Sequence, residues 1–293
     1  MPELPDITIY IEALEERILG QQLNVVLIKN LFLLRTYKPP IEETFQQKVV
    51  EIKRLGKRIA IGLDNELWLV IHLMIAGRLQ WKDEIANPPG KIGLASFQFD
   101  RGSLLLTEAG SKKRASLHVV TSEDLLDHEP GGIDVMTATL EEFTQSLTLT
   151  NRTVKRQLTS PMLFSGIGNA YSDEILHRAG ISPIQHTQKM TEQQIADLYR
   201  ATQEVMQEWI DLLRKQAKGK FPKKVTAFRP EMAVHGKYKE PCPVCGAPVQ
   251  RIVYAENETN YCAQCQNGGR ILADRSLSRL LKDDWPRSLD HES

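Results

Sequence analysis

Hydrophobic positions in this chain recur with two different periods, and the change of period divides it. Near the start Ile7, Ile11, Leu14 and Ile18 fall at helical spacing up to Gly20, and Pro5 and Asp6 suit a first turn, so a leading helix is predicted. From residue 22 to about 121 the pattern shortens to NVVLIKN, KVVEIKRLG, KRIAIGL, ELWLVIHL, KIGLASFQFD, SLLLTEAG and SLHVVT, broken by Asp64-Asn65, Asn87-Pro88-Pro89-Gly90 and Asp100-Arg101-Gly102. Runs this closely spaced imply antiparallel sheets packed as a sandwich or barrel. The segment DHEPGGIDVM then reads as a linker. From about 139 to 213 the period becomes helical, in TLEEFTQSL, VKRQLTSPMLF, NAYSDEILHRAG and TEQQIADLYRATQEVMQEWIDLLRKQ. The last stretch, ILADRSLSRLLKDDWPRSLDHES, has the pattern of one more amphipathic helix.

Composition places few limits on that picture. At 293 residues, 41% apolar and 25% charged, the chain can build two cores and is not disordered by composition. No stretch reaches the roughly 18 consecutive apolar residues of a membrane span, and acids stand where a signal peptide needs basic residues, so a cytoplasmic protein is expected. Formal net charge is zero, which argues against a uniformly basic coat. Basic runs are nonetheless present: Lys53, Arg54, Lys57 and Arg58; Lys112, Lys113 and Arg114; and six cations from Arg214 to Lys224 with no acid among them. A charge run is ordinarily a solvated face, but local field, not the total, attracts a phosphate backbone.

All four cysteines fall in EPCPVCGAPVQRIVYAENETNYCAQCQ as Cys242, Cys245, Cys262 and Cys265. Two CxxC knuckles with a hairpin-length spacer match one tetrahedral zinc ion, each knuckle offering two thiolates; the alternative, two disulfides, conflicts with a reducing compartment. With four thiolates closing the shell, the histidines, His72 among them, read as packing or surface residues, as do Trp68, Trp81, Trp209 and Trp285. In FSGIGNAYSDEILHRAGISP, Gly166 and Gly168 allow a tight turn before a helix that starts near Asn169, an entry whose free amides favour an anion such as phosphate. Two glycines between helices also occur for packing alone. The opening MPELPD has a similar double reading. It is either a stiff leader or, once Met1 is removed, a free secondary amine on Pro2 with a pKa near 8.

Taken in order, PELPD, Lys57 in RLGKR, HLMIAG, GIGNAYSDE, VHGKYKEPC and the CxxC…YCAQCQ finger resemble the formamidopyrimidine-DNA glycosylase / endonuclease VIII family over residues 2 to about 266. The resemblance implies an N-terminal β-sandwich with a leading helix (1–125), a linker (126–138), a helix–two-turn–helix α domain (139–235), a zinc-finger β-hairpin (236–270) with one structural zinc ion, and an extension (271–293) with no counterpart. It implies a bifunctional DNA glycosylase and abasic-site lyase acting as a monomer on double-stranded DNA with damaged bases or abasic sites, at the bacterial nucleoid. The Pro2 amine would attack C1′, Glu3 would protonate the sugar and shuttle protons, and Lys57 would hold a phosphate or the lesion sugar, with β,δ-elimination nicking the strand. Gly168, Asn169, Lys112, Lys113, Arg114 and the finger tip would bind DNA while the damaged base is flipped out. Acids such as Glu12, Glu15 and Glu16 would face away from it.

The chain departs from that pattern in several places. Where the best-studied members carry a finger-tip arginine, it has Asn257, which cannot make a charged bidentate contact; Arg251 or Arg270 would have to compensate. Ile75 stands in the usual methionine slot of HLMIAG, with Met74 one place earlier, and TEAGSKKRASL carries no aromatic wedge. Asp6 replaces the commoner glutamate, and Ser160-Pro161 the usual Asp-Gln pair. These changes leave the lesion open between oxidised purine, oxidised pyrimidine and preformed abasic sites. They also keep in play a non-enzymatic damaged-DNA-binding protein. A zinc-ribbon RNA-binding protein would leave PELPD and GIGNAYSDE without a role.

Overall fold

The computed structural model describes residues 1–254, 257–274 and 287–289. The segments expected from the sequence group into two compact units: Met1–Pro130 with Trp209–Thr226, and Gly131–Glu208 with the chain from Ala227 onward.

In the first unit, helix α1 (Leu4–Ile18) turns Ile7, Tyr10, Leu14 and Ile18 inward, all fully buried. Eight antiparallel strands follow: β1 (Gln22–Ile28), β2 (Gln47–Leu55), β3 (Arg58–Leu63), β4 (Leu67–His72), β5 (Gly77–Lys82), β6 (Gly93–Phe99), β7 (Gly102–Glu108) and β8 (Ser116–Thr121). Their order is β5-β7-β6-β1-β2-β3-β4-β8. β1 and β2 pair only at Gln22–Lys48 and Leu23–Gln47, so the sheet bends there into two halves. Phe97, Leu104 and Leu106 of one half and Ile59, Ile61, Leu69, Ile71 and Leu117 of the other share one core with α1, which is the sandwich expected. Burying each such side chain contributes about 1.5–3 kcal/mol, enough for this layer to hold its own loops. β5 was not among the expected runs. Only Leu79 and Trp81 break its polar pattern, and it sits at the sheet's end, where one neighbour suffices.

Residues 209–226 belong with this unit for a physical reason. Arg214 makes two hydrogen bonds to Glu12 (Nε–Oε2 3.0 Å, Nη2–Oε1 2.7 Å), and the Phe221 ring lies 5.7 Å from that of Tyr10. Arg214 also pairs with Asp211 (2.6 Å), so the start of the basic run is neutralised both by the acid three residues before it and by one distant in sequence. In the run 53–58, Lys53 pairs with Glu51 (3.4 Å) and lies 4.2 Å over the Trp68 ring.

The second unit contains β9 (Ile133–Asp134) and β10 (Phe164–Ser165), paired in parallel, and helices α2 (Leu140–Thr148), α3 (Val154–Leu158), α4 (Asn169–Arg178) and α5 (Glu192–Ala217), the last of which runs on into the residues grouped with the first unit. α2 starts on a capping box, with Thr139 N–H donating to Glu142 Oε2 (2.8 Å) and Glu142 N–H to Thr139 Oγ1 (3.2 Å). α3 stops at Leu158, short of the predicted Phe164, because Pro161 disfavours helix in the residue before it. The finger is the ribbon β11 (Val249–Tyr254) and β12 (Asn257–Cys262), closed by α6 (Ala263–Asn267). The helix expected in the extension falls largely on residues outside the described ones. No helix among the described residues is long and apolar enough to cross a membrane.

Candidate active site and nucleic-acid interface

The N-terminus is held by its own helix. Glu3 is the N-cap of α1, and its backbone N–H donates to Asp6 Oδ2 (3.1 Å) while its carboxylate returns to the Asp6 amide, a reciprocal box that fixes both acids, each 3% exposed. An aspartate at position 6 therefore does definite structural work: its short carboxylate closes this box. Pro2 is buried behind Met1. Burial pushes the Met1 amine below its ordinary pKa near 8, with Arg78 and Lys57 adding to the effect and Glu3 and Asp6 opposing it. The charges of those four side chains are therefore felt at the nitrogen one residue before Pro2.

Lys57 reaches this group from the turn joining β2 and β3. Leu55 pairs with Arg58 across a two-residue turn whose first residue, Gly56, has φ +61, as a type II′ hairpin requires. A Cβ on Gly56 would also meet Pro130 Cγ at 2.8 Å. Desolvation lowers the Lys57 pKa, and Glu3 pulls it partly back. His72, paired with Arg58 across β3 and β4, is pushed down to about 4, by burial first and then by Arg58, Lys57 and His118. It is therefore a neutral imidazole within the field of Lys57, a position that a lone histidine between two apolar residues did not reveal.

Arg78 was not anticipated at all. It opens β5, and its Nε donates to Val225 O (2.6 Å) and its Nη1 to Ile75 O (3.0 Å) and Gly77 O (2.6 Å). The preceding turn is tight: Gly77 N–H donates to Leu73 O (2.8 Å), and a Cβ on Gly77 would sit 2.2 Å from that oxygen. The turn puts Met74 at φ +52 and leaves Ile75 56% exposed, so an apolar side chain is displayed beside the site. In the loop after β7, the buried Glu108 accepts from Arg114 N (2.9 Å) and Ala115 N (3.2 Å), and Lys113 Nζ donates to Glu108 O. Lys112 and Arg114 stay exposed; Lys113 is half-buried and committed to its own loop.

In the second unit the sequence-predicted residues converge on one junction. Gly166 has φ +89 and needs to be glycine; Gly168, the N-cap of α4, has φ −129, which any residue adopts. Asn169 Nδ2 donates to Glu258 O (2.8 Å), so the first residue of α4 is brought next to Asn257 at the start of β12. Behind it lies a buried network. Asp173 pairs with Lys155 and accepts from His235 Nδ1 (2.8 Å) and Asn260 N (3.1 Å). Glu174 accepts from Ala233 N (2.7 Å), Val234 N (3.0 Å) and His235 N (2.9 Å), although burial pushes its pKa up. Gly236 N donates to Asn260 Oδ1 (2.6 Å). The acids of GIGNAYSDE thus moor the finger to α4. Arg251 stacks 4.2 Å over Tyr238 and pairs with Glu258 (3.3 Å), while Arg270 is exposed and bridges to Ser288.

The four cysteine sulfurs all lie within 4.8 Å of one another, with Cys245–Cys262 at 3.4 Å and Cys242–Cys265 at 3.9 Å. A tetrahedron with Zn–S bonds of about 2.3 Å has edges of about 3.8 Å, so the set fits one structural zinc ion. Burial pushes the Cys262 thiol up to about 11 while hydrogen bonds bring Cys245 down, and a bound cation would favour the thiolate form of the set. His177 Nε2 approaches Cys242 Sγ at 3.3 Å from outside the shell.

An N-terminal amine close to acids and cations in a β-sandwich unit and a helix-moored zinc ribbon in the second unit together define a class that the comparisons then specify. The formamidopyrimidine-DNA glycosylase N-terminal domain matches residues 1–112, the formamidopyrimidine-DNA glycosylase H2TH domain residues 130–219, and the zinc finger found in FPG and IleRS residues 239–268. A formamidopyrimidine-DNA glycosylase of Solibacter usitatus is 28% identical over 277 residues, covering 91% of this chain and 99% of its own. A formamidopyrimidine-DNA glycosylase-like protein of Mycobacterium tuberculosis is 36% identical over 151 residues, 52% of this chain and 94% of that protein. The Lactococcus lactis Fpg (MutM) solved with DNA containing an oxidized pyrimidine is similar with a TM-score of 0.80 at 26% identity, covering 91% of this chain and 100% of that one. The chain belongs to the formamidopyrimidine-DNA glycosylase / endonuclease VIII family.

Proposed function

We propose that this protein is a base-excision-repair DNA glycosylase and abasic-site lyase that uses the Pro2 amine. The observation that carries the reading is that Glu3, Asp6, Lys57 and Arg78 all act electrostatically on the Met1 nitrogen, one residue before Pro2. As long as Met1 is attached, the Pro2 nitrogen is an amide and inert. Its removal yields a secondary amine, which is a nucleophile in its neutral form. The amine forms a bond to C1′ of a damaged nucleotide, the bond from C1′ to the base breaks, and the base departs with a proton. Glu3 supplies a proton to the ring oxygen as the ring opens, leaving an iminium that acidifies the C2′ proton. Loss of that proton expels the 3′ phosphate, and a second elimination expels the 5′ phosphate. Lys57 holds the sugar-phosphate, and Lys112, Arg114, Gly168, Asn169 and Asn257 hold the DNA backbone.

Relatives and structural neighbours support DNA as the substrate, since the Lactococcus lactis protein was solved on lesion-bearing DNA. We assign the chain to the bacterial cytoplasm, acting at the nucleoid, because relatives named formamidopyrimidine-DNA glycosylase come from bacteria, and we take a monomer as its working unit. Borohydride trapping tests the chemistry. Protein lacking Met1, mixed with duplex containing an abasic site and reduced, should give a covalent adduct and a nicked strand. Binding without adduct or nick on abasic and oxidised-base duplexes alike would leave a damage-binding protein instead.

A further inference from the structure

The residues just past the finger are bound to it. Tyr261 of β12 is fully buried, and its hydroxyl oxygen accepts from Leu272 N (2.8 Å). Ile271 and Leu272 pack with Tyr261 and Ala263, and Ile252 of β11 and Leu289 lie against the same cluster. The chain returns to that face: Ile271 N donates to Arg287 O (3.0 Å), Leu289 N to Gly269 O (3.2 Å), and Arg270 bridges Ser288. On the other side of Leu272, Asp274, 2% exposed, accepts from Val253 N (2.7 Å). Val253 pairs with Glu258 across the ribbon and lies one residue before the end of β11. The bracing residues themselves, Ile271, Leu272, Asp274 and Leu289, lie beyond the matched finger region, which ends at residue 268.

A two-stranded ribbon is marginal by itself, because one face and both outer edges lack partners. Here Ile271, Leu272 and Leu289 cover one face, and the Asp274 carboxylate satisfies an edge amide close to the tip. We propose that Asp274 and the Ile271–Leu272 pair are positioning residues that preform the Asn257 end of the ribbon for DNA. An arginine at the tip would gain from charge; an asparagine has only a neutral hydrogen bond to offer, so the ordering entropy of the ribbon weighs more heavily against binding. Bracing the ribbon before DNA arrives removes that cost. The role of DNA here rests on the proposed function; the bracing does not.

The test uses the full chain, as wild type, Asp274→Ala and Asp274→Asn. Three quantities are measured: affinity for a duplex carrying an uncleavable tetrahydrofuran site, the nicking rate of an abasic duplex at saturating enzyme, and amide exchange at Val253, with zinc content as a control. Asp274→Ala should weaken binding about tenfold, the effect of losing one charge-assisted hydrogen bond. It should also speed Val253 exchange, yet leave the saturated nicking rate within about twofold and zinc stoichiometric. Asp274→Asn, whose amide oxygen still accepts from Val253, should recover most of the affinity. Unchanged affinity and exchange in Asp274→Ala would overturn the proposal, as would an asparagine variant no better than alanine, or zinc loss in parallel with weaker binding. A wild type that binds but never nicks would refute the proposed chemistry while leaving the bracing comparison readable.

Discussion

The N-terminal site and the junction of α4 with the finger each gather two acids and at least two basic side chains, and they use them in opposite ways. At the junction the charges are consumed: Asp173 meets Lys155, His235 and a backbone amide, and Glu174 meets three amides. At the N-terminus the Met1 amine, Lys57 and Arg78 act on one another and on Glu3 and Asp6, and burial lowers the pKa of both the Met1 amine and Lys57. Saturated charges build scaffold; crowded, desolvated cations lower their own proton affinity and are poised for an anionic partner and a nucleophilic step. The difference, more than any count of charges, marks which region reacts.

The largest effect expected from breaking this contrast is at Pro2. Pro2→Gly, or a tag that leaves an amide there, should abolish the borohydride adduct and reduce nicking by about a thousandfold or more, because the covalent step is lost outright. Folding should be unaffected, since the amide form is already compatible with α1. The pH dependence sharpens the point. Only the neutral amine is nucleophilic, so the trapping rate should rise with pH and level off once the Pro2 amine has lost its proton. A trapping rate that does not change with pH would contradict an amine nucleophile. At the junction the reverse pattern is expected. Glu174→Ala leaves three buried N–H groups without their acceptor and should cost about 3–5 kcal/mol, read as a lowered melting temperature and easier loss of zinc to chelators. Trapping by whatever fraction stays folded should persist.

The same two regions show what a sequence does and does not disclose. Strand runs such as KRIAIGL and the helix beginning at Asn169 were legible because their cues are local, a dense apolar run in the one and a glycine turn at the helix entry in the other. The zinc set was legible because its ligands come in two short knuckles. β5 was missed because an end strand needs only Leu79 and Trp81 inward. Arg78 was missed because its anchor, Val225, is 147 residues away, and the acids of GIGNAYSDE meet partners 59 to 87 residues on. Local periodicity carries no information about such pairs. Asp6 was noted as a substitution, but the box it forms with Glu3 appears only once the helix start is fixed.

A smaller effect separates the units by acid sensitivity. His72 and His118 are each pushed from 6.5 down to about 4, His72 by burial, then Arg58, Lys57 and His118, and His118 by burial, then His128, whose ring is 4.7 Å away, with Arg58 and Arg35. Because the folded pKa values lie below the unfolded ones, the unfolded chain binds more protons between pH 6.5 and 4. Stability from these groups is therefore complete above pH 6.5 and declines as pH falls toward 4. At about 1.4 kcal/mol per pH unit each displacement is bounded near 3 kcal/mol, and partial exposure of both rings reduces that to about 1 kcal/mol. Three of the four tryptophans, Trp68, Trp81 and Trp209, lie in the first unit, so tryptophan fluorescence during urea unfolding follows mainly the affected region. His118→Gln should change stability little at pH 7, where the ring is neutral, and should shrink the loss between pH 7 and 4.5 by about 1 kcal/mol. An undiminished acid loss would mean that the histidines on β4 and β8 are not what makes this unit acid-sensitive.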